Sequence, residues 1–471
     1  MLPIVGPSYQ LANRKADIQR SVNMHLVSME TPGKAPFIMD SVPGLLLFGA
    51  MGAAVRGQLV AAGRLFVVAG NVLYEVFSDG TNIARGTLLT SEGAVSLSYG
   101  ITQLVLVDGP YGYVLTLSTN VFQQITSSGF YGSTRVRFID NYFVFLRPDT
   151  QQFYISAIND ATSEDPLDFA SAESSPDALV SLEVDHSEIW LFGELSTEVW
   201  YDSGNADFPF SRNKGASVEV GCQAVHSVCK LDNSIFWIGK DINGSGIVYR
   251  TQGFLPVRIS TQAVEQALQG SSELASATAY AYQDKGLSFY AINAPGLGSQ
   301  WVYEVSTGSW HERCDLDSSG FFTQSRVTCH AFAFGKRLVG ASDGNLYELS
   351  HTTYTNNGDP LVRERTTPHD AAPGRVLQFF RRFYLDCTTG EVTFAQIGTS
   401  SFMVELAWSN DSGASWSDGY MRPIGKIGEH FARLLWNALG SSRDRVWRIR
   451  FSDNAPFSII DGQADAEPGK N

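Results

Sequence analysis

The stretch RLFVVAGNVLYEVFSDG, residues 64–80, decides the fold. An apolar run is followed by a turn at Gly70-Asn71 and then by a second run that carries a tyrosine, a pattern that predicts two short strands joined in a hairpin. Variants of this pattern recur at 103–117, 141–156, 188–204, 234–250, 287–305 and 337–350. Their starts lie 39, 38, 47, 46, 53 and 50 residues apart, which is the period typical of propeller blades.

The repeat predicts an all-β chain built around a β-propeller of seven blades, with six blades as the alternative count. A lone hairpin is marginal in water, whereas radial packing buries both faces of each blade and closes the ring. The 44 glycines and the aromatic content of 12% agree with strands and tight turns rather than helices. A run of meanders that forms two β-sandwiches is the other fold consistent with the pattern.

The chain divides into four predicted parts. Residues 1–48, interrupted by five prolines, are expected to form an extended N-terminal arm that clasps a neighbouring subunit or adds to its sheet. Residues 49–355 form the propeller, and residues 356–465 form a second β domain of the sandwich type. Residues 466–471 are expected to be a disordered tail. One short helix is predicted over 261–270.

The segment SNDSGASW, residues 409–416, matches the Asp-box, a hairpin turn known from sialidases and other propellers. In such a turn, which begins at Ser409, Asp411 accepts backbone N–H groups, Gly413 takes a positive φ, and Trp416 packs under the hairpin. These roles are structural. A sialidase would need several such boxes on the propeller, whereas this one follows the repeat, so we interpret it as a turn and not as a mark of an enzyme.

Two other clusters are candidate sites of chemistry. Cys222, His226 and Cys229 lie within eight residues, but on a strand Cys229 points away from the other two, so buried small side chains are the better interpretation and no metal is predicted. Asp185, His186 and Glu188 could act in acid–base chemistry, although a solvated turn before a strand is the commoner outcome. We predict no catalytic residue, no cofactor and no metal.

Arginines alternate with aromatic side chains in FFRRFYLD, residues 379–386, and in RDRVWRIRF, residues 443–451. Alternation sends the aromatic residues to one face of each strand and arginine mainly to the other. Protein strands that bind nucleic acids use this combination of arginine and aromatic side chains. The net charge of −14, however, argues against an outer surface that binds DNA tightly. We therefore predict that Arg381, Arg382, Arg448 and Arg450 contact other subunits or partner proteins with acidic surfaces.

The order of three segments resembles a known family. They are RSVNMHLVSMETPGKAPFIMDSVPGLLLFG at 20–49, STEVWYDSGNADFPFSRNKGASVEVGCQAVHSV at 196–228, and the C-terminal stretch 408–453 that holds the Asp-box-like turn. Together they are similar to the tail-hub proteins of short-tailed bacteriophages, also called packaged-DNA stabilisation or tail nozzle proteins. The resemblance spans nearly the whole chain and includes no catalytic signature.

The resemblance implies a structural virion protein that forms a hexameric ring. Such a ring extends the DNA channel below the portal and its adaptor, retains the packaged genome and conducts it during ejection. Its implied partners are the adaptor or head-to-tail connector ring, the tail needle or plug, the tail spike or fibre proteins, and double-stranded DNA that passes without sequence-specific binding. No small-molecule substrate is implied. The expected location is the phage tail, after assembly in the host cytoplasm, since the five irregularly spaced cysteines and the lack of a signal-like start fit that compartment.

Two other functions stay open from the sequence. One is a propeller that binds or cleaves glycans in the manner of a sialidase, for which the Asp-box-like turn is the clue. The other is a monomeric scaffold propeller unrelated to phages. Assays of glycan binding and cleavage test the first alternative. The oligomeric state tests the second, because a scaffold propeller stays monomeric whereas a tail hub forms a ring.

Overall fold

The computed structural model of the protein describes residues 3–31, 33–173, 175–205, 207–389, 402–425, 428–430 and 434–469. Its first five strands precede the first complete blade: β1 Tyr9–Gln10, β2 Ile18–Val22, β3 Met24–Ser28, β4 Phe37–Ser41 and β5 Gly44–Ala50.

The next four sheets each contain four antiparallel strands in chain order. Blade 1 comprises β6 Val55–Ala61, β7 Arg64–Ala69, β8 Val72–Val76 and β9 Asn82–Thr87; blade 2 comprises β10 Ser96–Tyr99, β11 Gln103–Val107, β12 Gly112–Thr116 and β13 Val121–Gln124. Blade 3 comprises β14 Val136–Ile139, β15 Tyr142–Leu146, β16 Gln152–Ile155 and β17 Phe169–Ser171; blade 4 comprises β18 Leu179–Asp185, β19 Glu188–Gly193, β20 Thr197–Asp202 and β21 Phe210–Arg212.

Three further blades complete the propeller. Blade 5 comprises β22 Gly221–Cys222, β23 Cys229–Leu231, β24 Ser234–Asp241, β25 Gly244–Gln252 and β26 Leu255–Arg258; blade 6 comprises β27 Thr278–Asp284, β28 Leu287–Asn293, β29 Gln300–Glu304 and β30 Ser309–Leu316, with β31 Phe322–Gln324 paired to β30. Blade 7 comprises β32 Val327–Ala333, β33 Lys336–Ala341, β34 Asn345–Ser350 and, as its outermost strand, β5. The innermost strands of neighbouring blades touch all the way round, and β32 contacts β6, so the ring is closed with seven blades.

Blade packing explains why the repeat reads as an almost unbroken apolar run. In β7, Leu65 and Val67 lie in the core shared with blade 7, whereas Phe66 and Val68 lie in the core shared with blade 2. Successive side chains of a strand point to opposite faces, and both faces of a blade are buried here. A hydrophobic cluster occupies each of the seven interfaces between blades. The predicted propeller is therefore confirmed, and the seven hairpins recognised in the sequence are the second and third strands of each blade.

The C-terminal domain is a β-sandwich, as predicted. Its strands are β35 Thr355–Asn356, β36 Asp359–Pro360, β37 Arg363–Thr366, β38 Gln378–Cys387, β39 Met403–Ser409, β40 Tyr420–Pro423, β41 Leu434–Asn437, β42 Ser441–Ser442, β43 Val446–Phe451 and β44 Ser458–Pro468. Of these, β35 and β36 extend blade 7, and the others form two sheets. Trp447 and Ile449 of one sheet pack on Phe383 and Trp436 of the other in a single core.

Residues 1–48, predicted as an extended arm for a neighbouring subunit, pair with strands of their own chain. In the described part of this segment, β2 pairs with β30 of blade 6 on one side and with β37 of the sandwich on the other. Strands β3 and β4 join the second sandwich sheet through β44, and residues 44–48 belong to blade 7. The described prolines do not prevent this pairing, because Pro3 and Pro7 precede β1, while Pro36 and Pro43 lie between strands.

The expected tail is also different. Strand β44 continues to Pro468, where it pairs with Gln378 of β38, so residues 466–468 are part of the sandwich, while residues 470 and 471 lie outside the described range. The predicted helix is present as α1, Gln262–Gln269, and short 3₁₀ turns occur at Leu274–Ser276 and Pro373–Arg375. Within the described residues, the helices lack the length and apolar content needed to cross a membrane.

Candidate functional site

The Asp-box-like turn is built by two side chains. Ser409 Oγ donates to Asp411 Oδ1 at 2.6 Å and accepts the N–H of Gly413 at 2.8 Å. Asp411 Oδ1 also accepts the N–H of Ser415 at 2.9 Å, while the hydroxyl of Ser415 donates to Asp411 Oδ2 at 2.5 Å. These donors lower the pKa of Asp411 to about 2, so it is an ionised acceptor and is poorly suited to act as a general acid.

The turn contacts the N-terminal segment rather than any cleft of the propeller. Gly413 has φ +79°, and a Cβ built on it would lie 2.3 Å from Cδ1 of Ile18 on β2. Trp416 lies against the turn, with its Cζ2 3.6 Å from the same Cβ position on Gly413, and the guanidinium of Arg448 lies over its ring, 4.3 Å from the centroid. The stacked pair in this region is Trp408 and Tyr420, with ring centroids 5.2 Å apart. The turn thus holds β39 and the strand that connects the two domains in place.

The cysteine and histidine cluster has no arrangement for metal binding. Cys222 Sγ donates to the carbonyl of Ala224 at 3.1 Å, and Cys229 Sγ donates to that of Ala279 at 3.3 Å. Burial raises the pKa of Cys222 to about 11 and that of Cys229 to about 12, so both stay thiols at neutral pH. Among the described residues, no group of three or more His, Cys, Asp or Glu side chains is placed to hold a metal ion.

The carboxylates near His186 are held in ion pairs. Asp185 lies 2.6 Å from Lys230 Nζ and 2.8 Å from His186 Nδ1. Glu183 accepts hydrogen bonds from two arginines inside the propeller and is not beside Asp185 in a common cleft. Burial raises the pKa of Glu188, which accepts a hydrogen bond from Asn213. Carboxylates neutralised in this way serve structure more readily than proton transfer.

The four arginines predicted to contact partners fall into two groups. Arg448 is only 14% exposed and pairs with Glu405 at 3.5 Å, and Arg450 Nε donates to Glu364 at 2.5 Å, so both are engaged within their own chain. Arg381 and Arg382 lie on the outer face of β38, where the side chain of Arg381 is 62% exposed beside Glu467. Arg382 donates to the hydroxyl of Tyr384 at 3.2 Å. The exposed pair is therefore the part of this set that another protein can reach.

The domain junction was not recognised from the sequence. Arg20 on β2 donates to Glu312 of blade 6, and Glu364 of the sandwich lies on the other side of β2. Buried Arg365 donates to the carbonyls of Ile4, Pro7 and Arg20, which ties the first residues to the sandwich. The alternation of Arg363 and Arg365 in RERT is the only local signal of this role, and the partners lie hundreds of residues away.

A second feature missed from the sequence lies in the channel of the propeller. Arg135 and Arg137 reach the same carboxylate, Glu183 of blade 4. Their spacing of two residues, at the start of the innermost strand of blade 3, places both on the face of β14 that looks into the channel.

Two family sequence profiles match the chain in order. The profile described as "Bacteriophage P22 Gp10, beta-propeller" matches residues 12–354, and the profile described as "Bacteriophage P22 Gp10, beta-sandwich" matches residues 363–467. The first match includes the N-terminal strands as well as the blades. Among curated protein sequences, no match was found.

Solved structures resemble the chain at low identity. The designed Ika8 protein is 16% identical over 70% of this chain and 99% of its own, with a TM-score of 0.39. YCF48 bound to D1 peptide is 14% identical over 66% of this chain and 98% of its own, with a TM-score of 0.40. The extracellular domain of a putative one component system, BT4673 from B. thetaiotaomicron, is 10% identical over 84% of this chain and 47% of its own, with a TM-score of 0.43.

Proposed function

Since this chain belongs to the bacteriophage P22 Gp10 family, and is thus a structural protein of a phage tail, we propose that it is a subunit of the tail hub, or nozzle. In this role a ring of six copies extends the DNA channel below the portal and adaptor, retains the packaged genome and conducts it during ejection. The observation that carries the proposal is the match of both family profiles, in order, over almost the whole chain.

The mechanical coupling of the two domains supports this role. One sheet runs from blade 6 through β2 into the sandwich, so the N-terminal segment fastens both domains together. Strand β5 precedes blade 1 in the chain but pairs with β34 of blade 7, and it thereby closes the ring of blades. Long-range pairing of this kind suits a subunit of a conduit, because the N-terminal strand β2 is then bonded to both domains.

Charge supports passage of DNA rather than capture of it. The net charge of −14 repels a polyanion, and about half of the basic side chains of the described regions are paired with carboxylates of the same chain. Tight DNA binding needs several free cations that displace counterions from phosphates. We therefore expect DNA to move along the ring without sequence-specific contacts.

Arg381 and Arg382 are the proposed contacts with a neighbouring subunit or with the adaptor ring. They lie side by side on an exposed strand, and a bidentate guanidinium suits an acidic partner surface. We also propose that the protein has no catalytic activity, since Asp185 pairs with Lys230 and His186, and Glu188 accepts a hydrogen bond from Asn213.

The test is the mass of the purified protein, alone and with the other tail proteins, by light scattering and negative-stain imaging. We expect a ring of about six copies with a central hole, formed alone or on a partner ring. The double variant Arg381→Glu, Arg382→Glu should weaken assembly, whereas Arg14→Glu, at an exposed site in the N-terminal segment, should not. A protein that stays monomeric with every tail component contradicts the hub function.

Glycan cleavage is the outcome that would favour the alternative. Activity on sialylated or capsular glycans that is lost in Asp185→Asn or Glu188→Gln would replace the structural proposal. Intact substrate after prolonged incubation supports the proposal instead.

A further inference from the structure

The innermost strands of all seven blades surround a cavity of about 780 Å³ on the axis of the propeller. Its charged lining is unusual for this acidic chain, because cations outnumber carboxylates. The charged residues that line it are Arg56, Arg135, Arg137, Lys230 and Glu183. A cavity of this size suits a small molecule with its hydration water, and it is far too small for a DNA duplex.

Two guanidinium groups share a single carboxylate in this cavity. Arg137 uses Nε and Nη2 to bind both oxygens of Glu183, at 2.6 and 2.7 Å. Arg135 Nη2 shares one of these oxygens at 3.1 Å. Glu183 is 8% exposed and Arg135 is 7% exposed, so one positive charge is left over in a poorly hydrated place. An unbalanced buried charge is costly unless a counter-ion reaches it.

The other cations of the lining are already balanced or fully bonded. Lys230 pairs with Asp185 at 2.6 Å. Arg56 donates to the carbonyls of Gly70 and Thr90 at 2.9 Å each, and to the hydroxyl of Thr90. Arg56 keeps its charge but has all five N–H groups bonded, so the pair of Arg135 and Arg137 is the part of the lining that combines excess charge with an unbonded donor.

Arg135 also lacks hydrogen-bond acceptors. Apart from Glu183 it donates to the carbonyl of Val228 at 3.0 Å, also from Nη2, and its buried Nε has no partner. Buried Arg363 is better satisfied, since its Nε and Nη1 reach the carbonyls of Phe451 and Ala455, whereas the buried Nε of Arg313 also has no partner. A guanidinium has five N–H groups, and those left unbonded when buried destabilise the fold. Burial and the charge of Arg137 lower the pKa of Arg135 to about 10, which still leaves it charged at neutral pH.

A neutral donor lies in the same lining. His226, which belongs to blade 5, lines the cavity. Burial and the positive charges of Arg135 and Arg137 lower its pKa to about 3. It is thus uncharged at neutral pH, with one N–H that can donate. The hydroxyl of Ser96, from blade 2, lies 3.3 Å from Nη1 of Arg137 and also lines the cavity.

We propose that the channel of the propeller binds one small oxyanion of the phosphate or sulfate class on the guanidinium of Arg135, with His226 as a neutral donor. A tetrahedral oxyanion presents several acceptors at once and matches the planar fork of arginine. The anion supplies the missing counter-charge and joins blades 3 and 5 across the axis. The site is independent of the hub function and of ring assembly.

Binding of inorganic phosphate to the full-length protein tests the proposal, by calorimetric titration at an ionic strength held constant with chloride. We expect saturable binding of one phosphate per chain. Arg135→Gln should weaken binding by about tenfold or more, since it removes both the excess charge and the unbonded donors. Arg14→Gln, which removes an exposed arginine outside the propeller, should bind as the unchanged protein does.

A variant with the opposite expected sign separates binding from misfolding. Glu183→Gln leaves Arg135 and Arg137 without the carboxylate that they share, so phosphate should bind about tenfold more tightly and should raise the thermal midpoint by more than it does in the unchanged chain. Circular dichroism of Arg135→Gln and of Glu183→Gln confirms that the propeller is folded in each.

Titration with a nucleoside monophosphate then distinguishes the sources of the anion. Weaker binding than that of inorganic phosphate indicates a free ion, and tighter binding indicates a phosphate monoester. No saturable phosphate binding, or equal affinity in all four proteins, overturns the proposal.

Discussion

Arg20 of the N-terminal segment donates to both carboxylate oxygens of Glu312 in blade 6, at 3.1 Å from Nε and 2.5 Å from Nη2. Their positions differ by 292 residues. The side chain of Glu312 is 4% exposed and also accepts the hydroxyl of Ser8 at 2.9 Å. This ion pair lies where β2 joins the propeller to the sandwich. Removing it therefore tests whether it helps to hold the two domains together.

Replacing Glu312 with Gln should lower the free energy of unfolding by about 2–4 kcal/mol, because Arg20 is then left partly buried without its counter-charge. Urea unfolding followed by tryptophan fluorescence measures the change. The control is Glu194→Gln, which breaks an exposed pair with Lys240 and should cost less than about 1 kcal/mol. Equal effects in the two variants would show that the junction contributes little.

Deleting residues 1–40 should unfold the sandwich rather than release a free arm. The deletion removes β2, β3 and β4, and thereby exposes the core that includes Met24 and Met39. Limited proteolysis should then degrade residues beyond about 361 while a propeller fragment persists, because β5 is kept. Removal of the last two residues is the matched control and should leave the digestion pattern unchanged. A deleted protein with an intact sandwich contradicts the role of the segment.

Gly413→Ala should destabilise the protein by about 2–3 kcal/mol. The residue needs φ +79°, and its added methyl group would collide with Ile18 of β2. Gly63→Ala provides the comparison, since Gly63 has φ +76° and open space around it, so only the backbone term of about 1 kcal/mol applies. The two thermal midpoints measure the difference. Equal shifts would mean that β2 does not press against the turn.

Stability should fall as the pH drops from about 6.5 towards 4. Burial lowers the pKa of His25 to about 4 and that of His311 well below its ordinary value, and the two rings lie 5.7 Å apart at the domain junction. The unfolded chain therefore binds protons in this range that the folded protein excludes, which costs up to about 1.4 kcal/mol per pH unit for each histidine. Urea midpoints measured across the range give the slope.

His311→Phe should flatten this dependence and leave the stability at pH 7.5 unchanged or higher. Both ring nitrogens of His311 are buried without hydrogen-bond partners, so an aromatic ring of similar shape loses no bond there. The matched control is His186→Phe, at a site whose side chain is 57% exposed, and it should keep the slope of the unchanged protein. A slope unaltered by His311→Phe would assign the acid sensitivity to other groups.

The sequence by itself determined the local units of this protein. Each of the seven hairpins is encoded by residues that are close together in the sequence. The side-chain pattern along each strand and a turn residue between the two strands suffice to define it. The alternation in β43 likewise placed Trp447, Ile449 and Phe451 on one face, and all three lie in the sandwich core. The Asp-box-like turn could also be predicted from the sequence, because its hydrogen bonds join residues at most four positions apart.

Only the tertiary structure decided how these units are joined. Nothing local in Gly44–Ala50 indicates that it is the outer strand of the last blade, or that β2 lies between blade 6 and the sandwich. The partners of Arg20, Arg135 and Arg365 were equally hidden, because a buried arginine is stabilised by whichever carboxylate or carbonyl the fold brings to it. Pairing between distant strands depends on the whole set of contacts that closes the ring, and no short stretch of sequence encodes that set.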